Sequence, residues 1–217
     1  MIIRKYGLEL VRLKASHIEM IRHWRNDPKI QRHMFFQATI TPEMQRRWYD
    51  SVNNEQNYYF LIYSGQEPCG LISISSIDFE TRNAFAGLFI YDDRYIGTDV
   101  PVRASLTILD VFFSFTNLES IYAKVRDSNL VAHLYNTSLG FKRTKKIELG
   151  QGYEYCLKRE NYMQATAMLH RATQQLYGNK TALEFDPQDP VDTELKKSFE
   201  ASIVSLDMER LKGLEVI

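Results

Sequence analysis

The segment DSNLVAHLYNTSLGF, residues 127–141, contains a tyrosine, and a tyrosine hydroxyl can donate a proton. Ala132, Tyr135 and Leu139 are spaced for one face of a helix. An aspartate or a serine can cap the start of that helix, and Gly140 can end it in the left-handed conformation. The hydroxyl of Tyr135 is a weak acid that can supply a proton during catalysis. The alternative is an ordinary surface helix whose tyrosine packs by its ring.

A second segment is suited to binding an anion. The loop DDRYIGTDVP, residues 92–101, leads into the apolar run 102–116, which we predict as a helix. This helix directs Leu106, Leu109 and Phe113 to one buried face. Backbone N–H groups in such a loop and at a helix N-terminus can bind phosphate, and the helix dipole favours the negative charge.

The elements that must position these segments form a mixed pattern. Strands are predicted at residues 7–13, 58–64, 69–79, 84–91, 121–126, 141–149 and 153–159, and helices at 17–26, 29–34, 42–52, 102–116 and 129–139. Neither strands alone nor a strict alternation of strand and helix fits this order. We therefore expect an α/β (mixed α+β) fold with a central, mostly antiparallel mixed sheet and helices on both of its faces.

The character of the chain changes near residue 162, so we predict two units, residues 1–162 and a helical extension over 163–217. A helix is predicted over 163–177, a linker over 179–192 and a second amphipathic helix over 194–213. The apolar faces of these helices must be buried on the body or on a second subunit. Both options are open, and the second would give a homodimer through the C-terminal helices.

Six residues of the first segment share their spacing with a known family: Asn129, Ala132, Leu134, Tyr135, Gly140 and Phe141. Together with the element order, they make residues 6–162 resemble the GNAT superfamily of acyl-CoA-dependent N-acetyltransferases. The stretches WRNDPKIQRHMF (24–35) and TPEMQRRWY (41–49) are similar to a subset of that family. The subset acetylates amino groups of nucleotide-linked sugars or the N-termini of ribosomal proteins.

The resemblance implies acetyl-CoA as the cofactor and direct transfer of an acyl group to a primary amine in a ternary complex. In the family, the pantetheine arm pairs with the strand equivalent to 84–91, whose N–H groups also bind the thioester oxyanion. Tyr135 occupies the position of the general acid that protonates the departing thiolate. Asn129 could bind the cofactor or simply cap its helix. The implied cofactor-binding residues are Phe89, Ile90, Tyr91, Arg94, Ile96, Gly97, Thr98, Asn129 and Tyr135.

The phosphate loop departs from the family's pattern, Arg/Gln-x-x-Gly-x-Gly/Ala. Arg94 and Gly97 match it, but Asp99 stands at the last position. Two like charges about 4 Å apart repel by roughly 4 kcal/mol at an effective dielectric constant of 20. We expect Asp99 to point away from the loop and to cap the following helix. A shifted alignment and a decayed cofactor site are the alternatives.

The general base is a second departure, because strand 84–91 contains no Glu, Asp or His. Asp78 and His33 are the candidate catalytic bases, although each could equally be a surface or capping residue. A water chain to backbone carbonyls is a third route. It would suit an amine of modest pKa, such as the nitrogen of an amino sugar.

Composition narrows the classes of function. The 27 Lys and Arg residues equal the 27 Asp and Glu residues, which argues against nucleic acid as a partner. Two cysteines, Cys69 and Cys156, are too few for a disulfide scaffold or a structural zinc site, and no metal is expected. No signal peptide or membrane span is predicted, so we expect a cytoplasmic protein with no membrane partner.

The leading hypothesis is an N-acetyltransferase for a small-molecule amine, such as a nucleotide-linked amino sugar. The alternatives are a protein N-terminal acetyltransferase and an inactive binding or assembly module.

Overall fold

The computed structural model describes residues 1–147, 151–204 and 214–216. The strands are β1 (Ile2–Lys5), β2 (Leu8–Arg12), β3 (Tyr58–Tyr63), β4 (Pro68–Asp78), β5 (Asn83–Ile90), β6 (Ser120–Arg126), β7 (Lys142–Lys146), β8 (Gly152–Lys158), β9 (Thr181–Glu184) and β10 (Leu214–Val216). The α-helices are α1 (Ile18–Asn26), α2 (Pro28–Gln31), α3 (Pro42–Val52), α4 (Val100–Phe115), α5 (Leu130–Ser138), α6 (Arg159–Ala165), α7 (Ala167–Tyr177) and α8 (Pro190–Val204).

These strands form one sheet in the order β10-β9-β1-β2-β3-β4-β5-β6-β8-β7. Neighbouring strands are antiparallel except for β5 with β6 and β9 with β10, which are parallel. The prediction of a mixed, mostly antiparallel sheet flanked by helices is therefore confirmed.

Different helices cover the two faces of the sheet. Along β3, Tyr58, Phe60 and Ile62 lie in the larger core with α4, whereas Leu61 lies in a smaller cluster with Trp24 of α1. Successive side chains of a strand point to opposite faces, so α4 and α1 lie on opposite sides of the sheet. Every helix within the described residues is too short or too polar to span a lipid bilayer.

Three described strands, β1, β9 and β10, were missed by the sequence patterns. β1 forms a hairpin with β2 through Tyr6 and Gly7, whose φ angles are 54° and 70°. The predicted linker over 179–192 is wrong, because it contains β9, which pairs antiparallel with β1. A segment of four residues carries little local signal. It is a strand because the free edge of β1 supplies its hydrogen-bond partners.

Helix boundaries also differ from the predictions. α4 begins at Val100 rather than at residue 102, because Pro101 is well accommodated in a first turn. The helix predicted over 163–177 is two helices, α6 and α7, which meet at Thr166. The strand predicted over 141–149 is β7, and the last two residues of that prediction lie outside the described residues.

The C-terminal helices pack on the same core as the sheet. Phe199 of α8 is fully buried, with its ring centroid 5.5 Å from that of Phe115 and 6.2 Å from that of Phe112. Arg12 of β2 donates to Asp192 of α8 over 2.6 Å. Leu195 and Phe199 of α8 are thus buried on the body, and the continuation predicted to residue 213 lies outside the described residues. A homodimer through these helices stays a prediction.

Candidate active site

A gap opens within the sheet between β5 and β6. The two strands pair only from Asn83 to Phe85 on β5 and from Ser120 to Tyr122 on β6. Beyond Phe85, β5 continues to Ile90 with β4 as its partner, while β6 continues with β8. One edge of β5 is therefore free in the middle of the sheet, where its N–H and C=O groups can pair with an extended amide chain.

The loop after β5 presents hydrogen-bond donors at one end of this gap. Gly97 has a φ of +79°, and a Cβ atom at this position would meet nothing within 4 Å. The amides of Gly97, Asp99 and Val102 have no hydrogen-bond acceptor among the described residues. Free N–H groups next to the N-terminus of α4 can bind an anion such as phosphate, and residues 92–99 are called the anion-binding loop after this capacity.

Three residues of this loop were predicted to bind the cofactor, and their side chains differ in exposure and in partners. Arg94 is 74% exposed and pairs with Asp92 over 2.5 Å. Ile96 is 61% exposed. The hydroxyl of Thr98 donates to the carbonyl of Tyr95 over 2.8 Å, which closes the turn.

At the end of β5, Phe89 and Tyr91 place their rings against Trp24 of α1, whereas Ile90 packs on the opposite face with the larger core. The rings of Phe89 and Tyr91 therefore lie on the α1 face. The amide of Tyr91 donates to the carbonyl of Cys69 at the start of β4 over 2.8 Å. Because backbone groups alternate sides along a strand, Phe89 also faces β4, and the backbone of Ile90 faces the free edge.

Asp99 occupies the N-cap position of α4, but its side chain does not cap the helix. One carboxylate oxygen accepts from Nη2 of Arg103 over 3.0 Å, and the other accepts from the hydroxyl of Tyr177 over 2.7 Å. The predicted capping role is wrong: Pro101 leaves no N–H two residues ahead, and the carboxylate instead bonds to a cation one turn along and to a hydroxyl from α7. The charge of Arg103 also offsets the negative charge that Asp99 brings to the loop.

Tyr135 of α5 lies against the first turns of α4. Its hydroxyl donates to the carbonyl of Pro101 over 2.7 Å and lies 2.7 Å from the hydroxyl of Ser105. Burial raises the pKa of Tyr135 well above its usual value, so the phenol keeps its proton at neutral pH. The structure thus brings a protonated hydroxyl to the end of α4 that also borders the anion-binding loop.

Asn129 serves as the cap of α5. Its side-chain oxygen accepts from the amide of Ala132 over 3.1 Å, which satisfies one of the helix's unpaired N–H groups. Of the two roles open for this residue, the structure shows capping, and the cap also fixes where Tyr135 lies along the helix.

Asp78 does not reach the gap. It stands opposite Asn83, at the end of β5 far from the loop. Its carboxylate accepts from the amides of Glu80 and Thr81, both over 2.9 Å. Bonds to Thr81 and Glu80 lower the pKa of Asp78, as is usual for a carboxylate that closes a turn.

His33 lies just beyond α2 and near the end of β6. Burial, followed by the charges of Arg32 and Arg126, lowers the pKa of His33, so the imidazole is neutral at pH 7. Its Nε2 atom lies 3.2 Å from Nε of Arg32, from which it accepts, and its Nδ1 atom is buried with no partner among the described residues.

Basic groups follow β6 along the other side of the gap. Ile121, Ala123 and Val125 are buried in the core, so Lys124 and Arg126 point to the opposite face. The sequence patterns did not single out these two residues. The alternation of buried and polar residues along β6 could have placed them on one face, but not beside the gap.

Arg126 connects β6 to the segment after α2. It donates to the carbonyl of Met34 over 3.1 Å, and its guanidinium carbon lies 6.0 Å from the ring centroid of Phe35. The Nε atom of Arg126 is buried with no acceptor among the described residues. The β6 side of the gap therefore carries positive charge and an N–H group that can donate a further hydrogen bond.

One family model matches most of this sequence. The family model for the acetyltransferase (GNAT) domain matches residues 7–142. A search of curated proteins found no match.

Three solved structures illustrate the similarity in fold. The spermidine N-acetyltransferase of Vibrio cholerae, in complex with CoA and spermine, has a TM-score of 0.65 and 18% identity, covering 73% of this chain and 99% of that one. RimL, a ribosomal L7/L12 alpha-N-protein acetyltransferase in complex with coenzyme A, has a TM-score of 0.63 and 17% identity, covering 73% and 98%. FdhC, a nucleotide-linked sugar GNAT, has a TM-score of 0.64 and 17% identity, covering 79% and 97%.

Proposed function

Because the chain belongs to the GNAT acetyltransferase family, whose usual cosubstrate is acetyl-CoA, we propose that it acetylates the primary amine of a small anionic molecule, such as a nucleotide-linked amino sugar. The observation that carries this proposal is the gap between β5 and β6, with an anion-binding loop and Tyr135 on one side and basic groups on the other.

The residues around the gap fit acetyl-CoA. The free edge of β5 can pair with the amides of the pantetheine arm, and the amides of Gly97, Asp99 and Val102 can donate to the pyrophosphate. Acetyl-CoA supplies an activated thioester, and its carbonyl oxygen becomes an oxyanion during attack by the amine. Backbone N–H groups on β5 are the proposed donors to that oxyanion.

Tyr135 is the proposed general acid. The amine nitrogen forms a bond to the thioester carbon, the carbon–sulfur bond breaks, and Tyr135 transfers its hydroxyl proton to the departing thiolate. The resulting phenolate would accept a hydrogen bond from Ser105, whose hydroxyl already lies 2.7 Å away. In the structure the same proton is donated to Pro101, so this bond must break for the transfer to occur.

His33 is the proposed base, and Asp78 is left out because of its position in the distant turn. The neutral imidazole has one basic nitrogen, Nε2, which now accepts from Arg32. Arg32 must move away before His33 can take the proton of the amine. The lowered pKa of His33 suits an amine that is itself weakly basic, because strongly basic amines would keep their protons.

An anionic acceptor is favoured by the charges on the β6 side. Lys124, Arg126 and Arg32 would repel a polyamine and attract a phosphate or carboxylate. The buried and unpartnered Nε of Arg126 adds a donor that an oxyanion could satisfy. A nucleotide-linked amino sugar combines a primary amine with such oxyanions.

Thermal unfolding with excess acetyl-CoA, followed by an acceptor screen, tests this proposal. A ligand at about 100 times its dissociation constant adds about 2.7 kcal/mol of stability, which raises the melting temperature of such a chain by roughly 5–10 °C. Thiol release should then be faster with a nucleotide-linked amino sugar than with the free amino sugar, spermidine or a peptide N-terminus. No shift with acetyl-CoA, CoA or longer acyl-CoA would overturn the proposal and favour the binding module.

A further inference from the structure

Helix α7 contacts the anion-binding loop through its last residue, Tyr177. Its hydroxyl donates to Asp99 over 2.7 Å, although the two residues are 78 positions apart in the chain. This hydrogen bond to Asp99 is the main reason why the pKa of Tyr177 is raised. This contact ties the part of the chain beyond the family's matched region to the loop that would bind the pyrophosphate.

Arg103 completes the arrangement around Asp99. Its guanidinium carbon lies 4.3 Å from the ring centroid of Tyr177, and its Nη1 atom donates to the carbonyl of Tyr6 over 2.9 Å. Gly7 makes room for this stack, since a Cβ atom there would lie 3.2 Å from the ring of Tyr177. Arg103 and Tyr177 are thus held from several sides, and Asp99 is held by both of them.

Without the bond from Tyr177, the side chain of Asp99 has a second conformation open to it, in which it caps α4. An N-cap carboxylate commonly accepts from the amide two or three residues ahead, and because Pro101 has no N–H, the donor here would be Val102. That conformation would occupy a loop donor and would turn a negative charge towards a bound pyrophosphate. The bond from Tyr177 therefore competes with a conformation of Asp99 that would oppose cofactor binding.

We propose that Tyr177 is a positioning residue, through which α7 holds Asp99 away from the loop amides so that they can bind the cofactor's pyrophosphate. The inference rests on the proposed use of acetyl-CoA. It also explains how an aspartate can stand at this position of the loop, where the family has glycine or alanine. Tyr177 of α7 binds the carboxylate of Asp99 and keeps it away from the loop amides.

Calorimetric titration of acetyl-CoA into full-length Tyr177→Phe tests the inference, because this change removes the hydroxyl and keeps the stack on Arg103. We expect the dissociation constant to rise about 3- to 10-fold, as for the loss of one partly exposed hydrogen bond to a charged group. The key comparison is Asp99→Ala, in which Tyr177→Phe should have no further effect. Leu176→Ala, at the exposed neighbouring position on α7, is the matched control and should bind like the wild type.

Urea unfolding without any ligand provides an independent readout. The effects of Tyr177→Phe and Asp99→Asn on the free energy of unfolding should be non-additive, because the two residues share one bond. Equal affinity of Tyr177→Phe and the wild type, or the same loss in the Asp99→Ala background, overturns the inference and leaves the proposed function intact. If the wild type fails to bind acetyl-CoA, the proposed function falls and the inference with it.

Discussion

At the scale of single residues, Tyr135 owes its proposed role to its surroundings as much as to its own chemistry. A tyrosine in water already holds its proton at pH 7. The first turns of α4 add burial, which raises its pKa further, and two oxygen partners that orient the hydroxyl. The same environment makes the role testable, because a phenylalanine would fill the same space without the proton.

We predict that Tyr135→Phe lowers kcat by about 100-fold, within the range for loss of a general acid, while the dissociation constant of acetyl-CoA changes by less than about 2-fold. Steady-state thiol release and calorimetry separate the two effects. Tyr63→Phe, which removes a hydroxyl from β3, is the control and should retain normal turnover. Unchanged turnover in Tyr135→Phe would show that the proton comes from elsewhere.

Arg126 gives a second prediction at the scale of single residues, on the β6 side of the gap, where the amine substrate is proposed to bind. We predict that Arg126→Gln raises KM for an anionic acceptor by about 10-fold or more, because a charged hydrogen bond is lost, and leaves acetyl-CoA affinity unchanged. Arg126→Lys keeps the charge and should lose less. Arg46→Gln, on the exposed face of α3, makes the same change in charge away from the gap. A KM that stays the same in Arg126→Gln would argue against an anionic acceptor.

At the scale of elements, the connection from α5 into β7 depends on a glycine for two separate reasons. Gly140 has a φ of +89°, and a Cβ atom there would lie 2.4 Å from the Cβ of Ala165 on α6. Gly97 also has a positive φ, but a Cβ atom would meet open space. An alanine at Gly97 would therefore meet backbone strain alone, whereas an alanine at Gly140 would meet both backbone strain and a steric clash.

We predict that Gly97→Ala costs about 1 kcal/mol of unfolding free energy, the usual strain of a left-handed alanine, and that Gly140→Ala costs at least about 2 kcal/mol more. Urea titrations of both variants measure the difference. Equal losses would mean that α6 moves aside at little cost, which would contradict close packing of Ala165 against the turn at Gly140.

At the scale of the whole molecule, Asp110 of α4 joins the N-terminal hairpin to the C-terminal helices. Its carboxylate accepts from Lys5 and Tyr162, both over 2.7 Å, and lies 2.9 Å from Nε2 of His170. Burial by itself would raise the pKa of Asp110, but the hydrogen bond from His170 and the charge of Lys5 outweigh it, so the pKa lies below its usual value.

The lowered pKa of Asp110 predicts how stability depends on pH. A carboxylate whose pKa is lower in the folded state stabilises the fold above its unfolded value, about 3.9, and loses that contribution as pH falls through the folded value. We expect Asp110→Asn to lose about 3 kcal/mol of unfolding free energy at pH 7, with the difference from wild type shrinking below about pH 4. Urea unfolding between pH 3 and pH 7 measures this, with exposed Asp50→Asn as control. A difference that is constant with pH would contradict the ionised cluster.

The sequence alone was sufficient for features that depend on neighbours within a few residues. The helix that carries Tyr135, its glycine stop, the turn at Gly97 and the alternating strands all follow from local spacing, capping and backbone freedom. These terms act over one or two turns of chain, so they can be read before the fold is known. The same local patterns supported the resemblance to the acetyltransferase family.

Only the tertiary structure decided which distant groups meet. Asp99 looked like a helix cap, but Arg103 and a tyrosine from α7 take its carboxylate. The segment 181–184 looked like a linker, yet β1 makes it a strand. The position of Arg126 beside Met34 follows from how β6 diverges from β5. Hydrogen-bond partners and strand neighbours depend on which remote segments pack together, and no local pattern of residues contains that information.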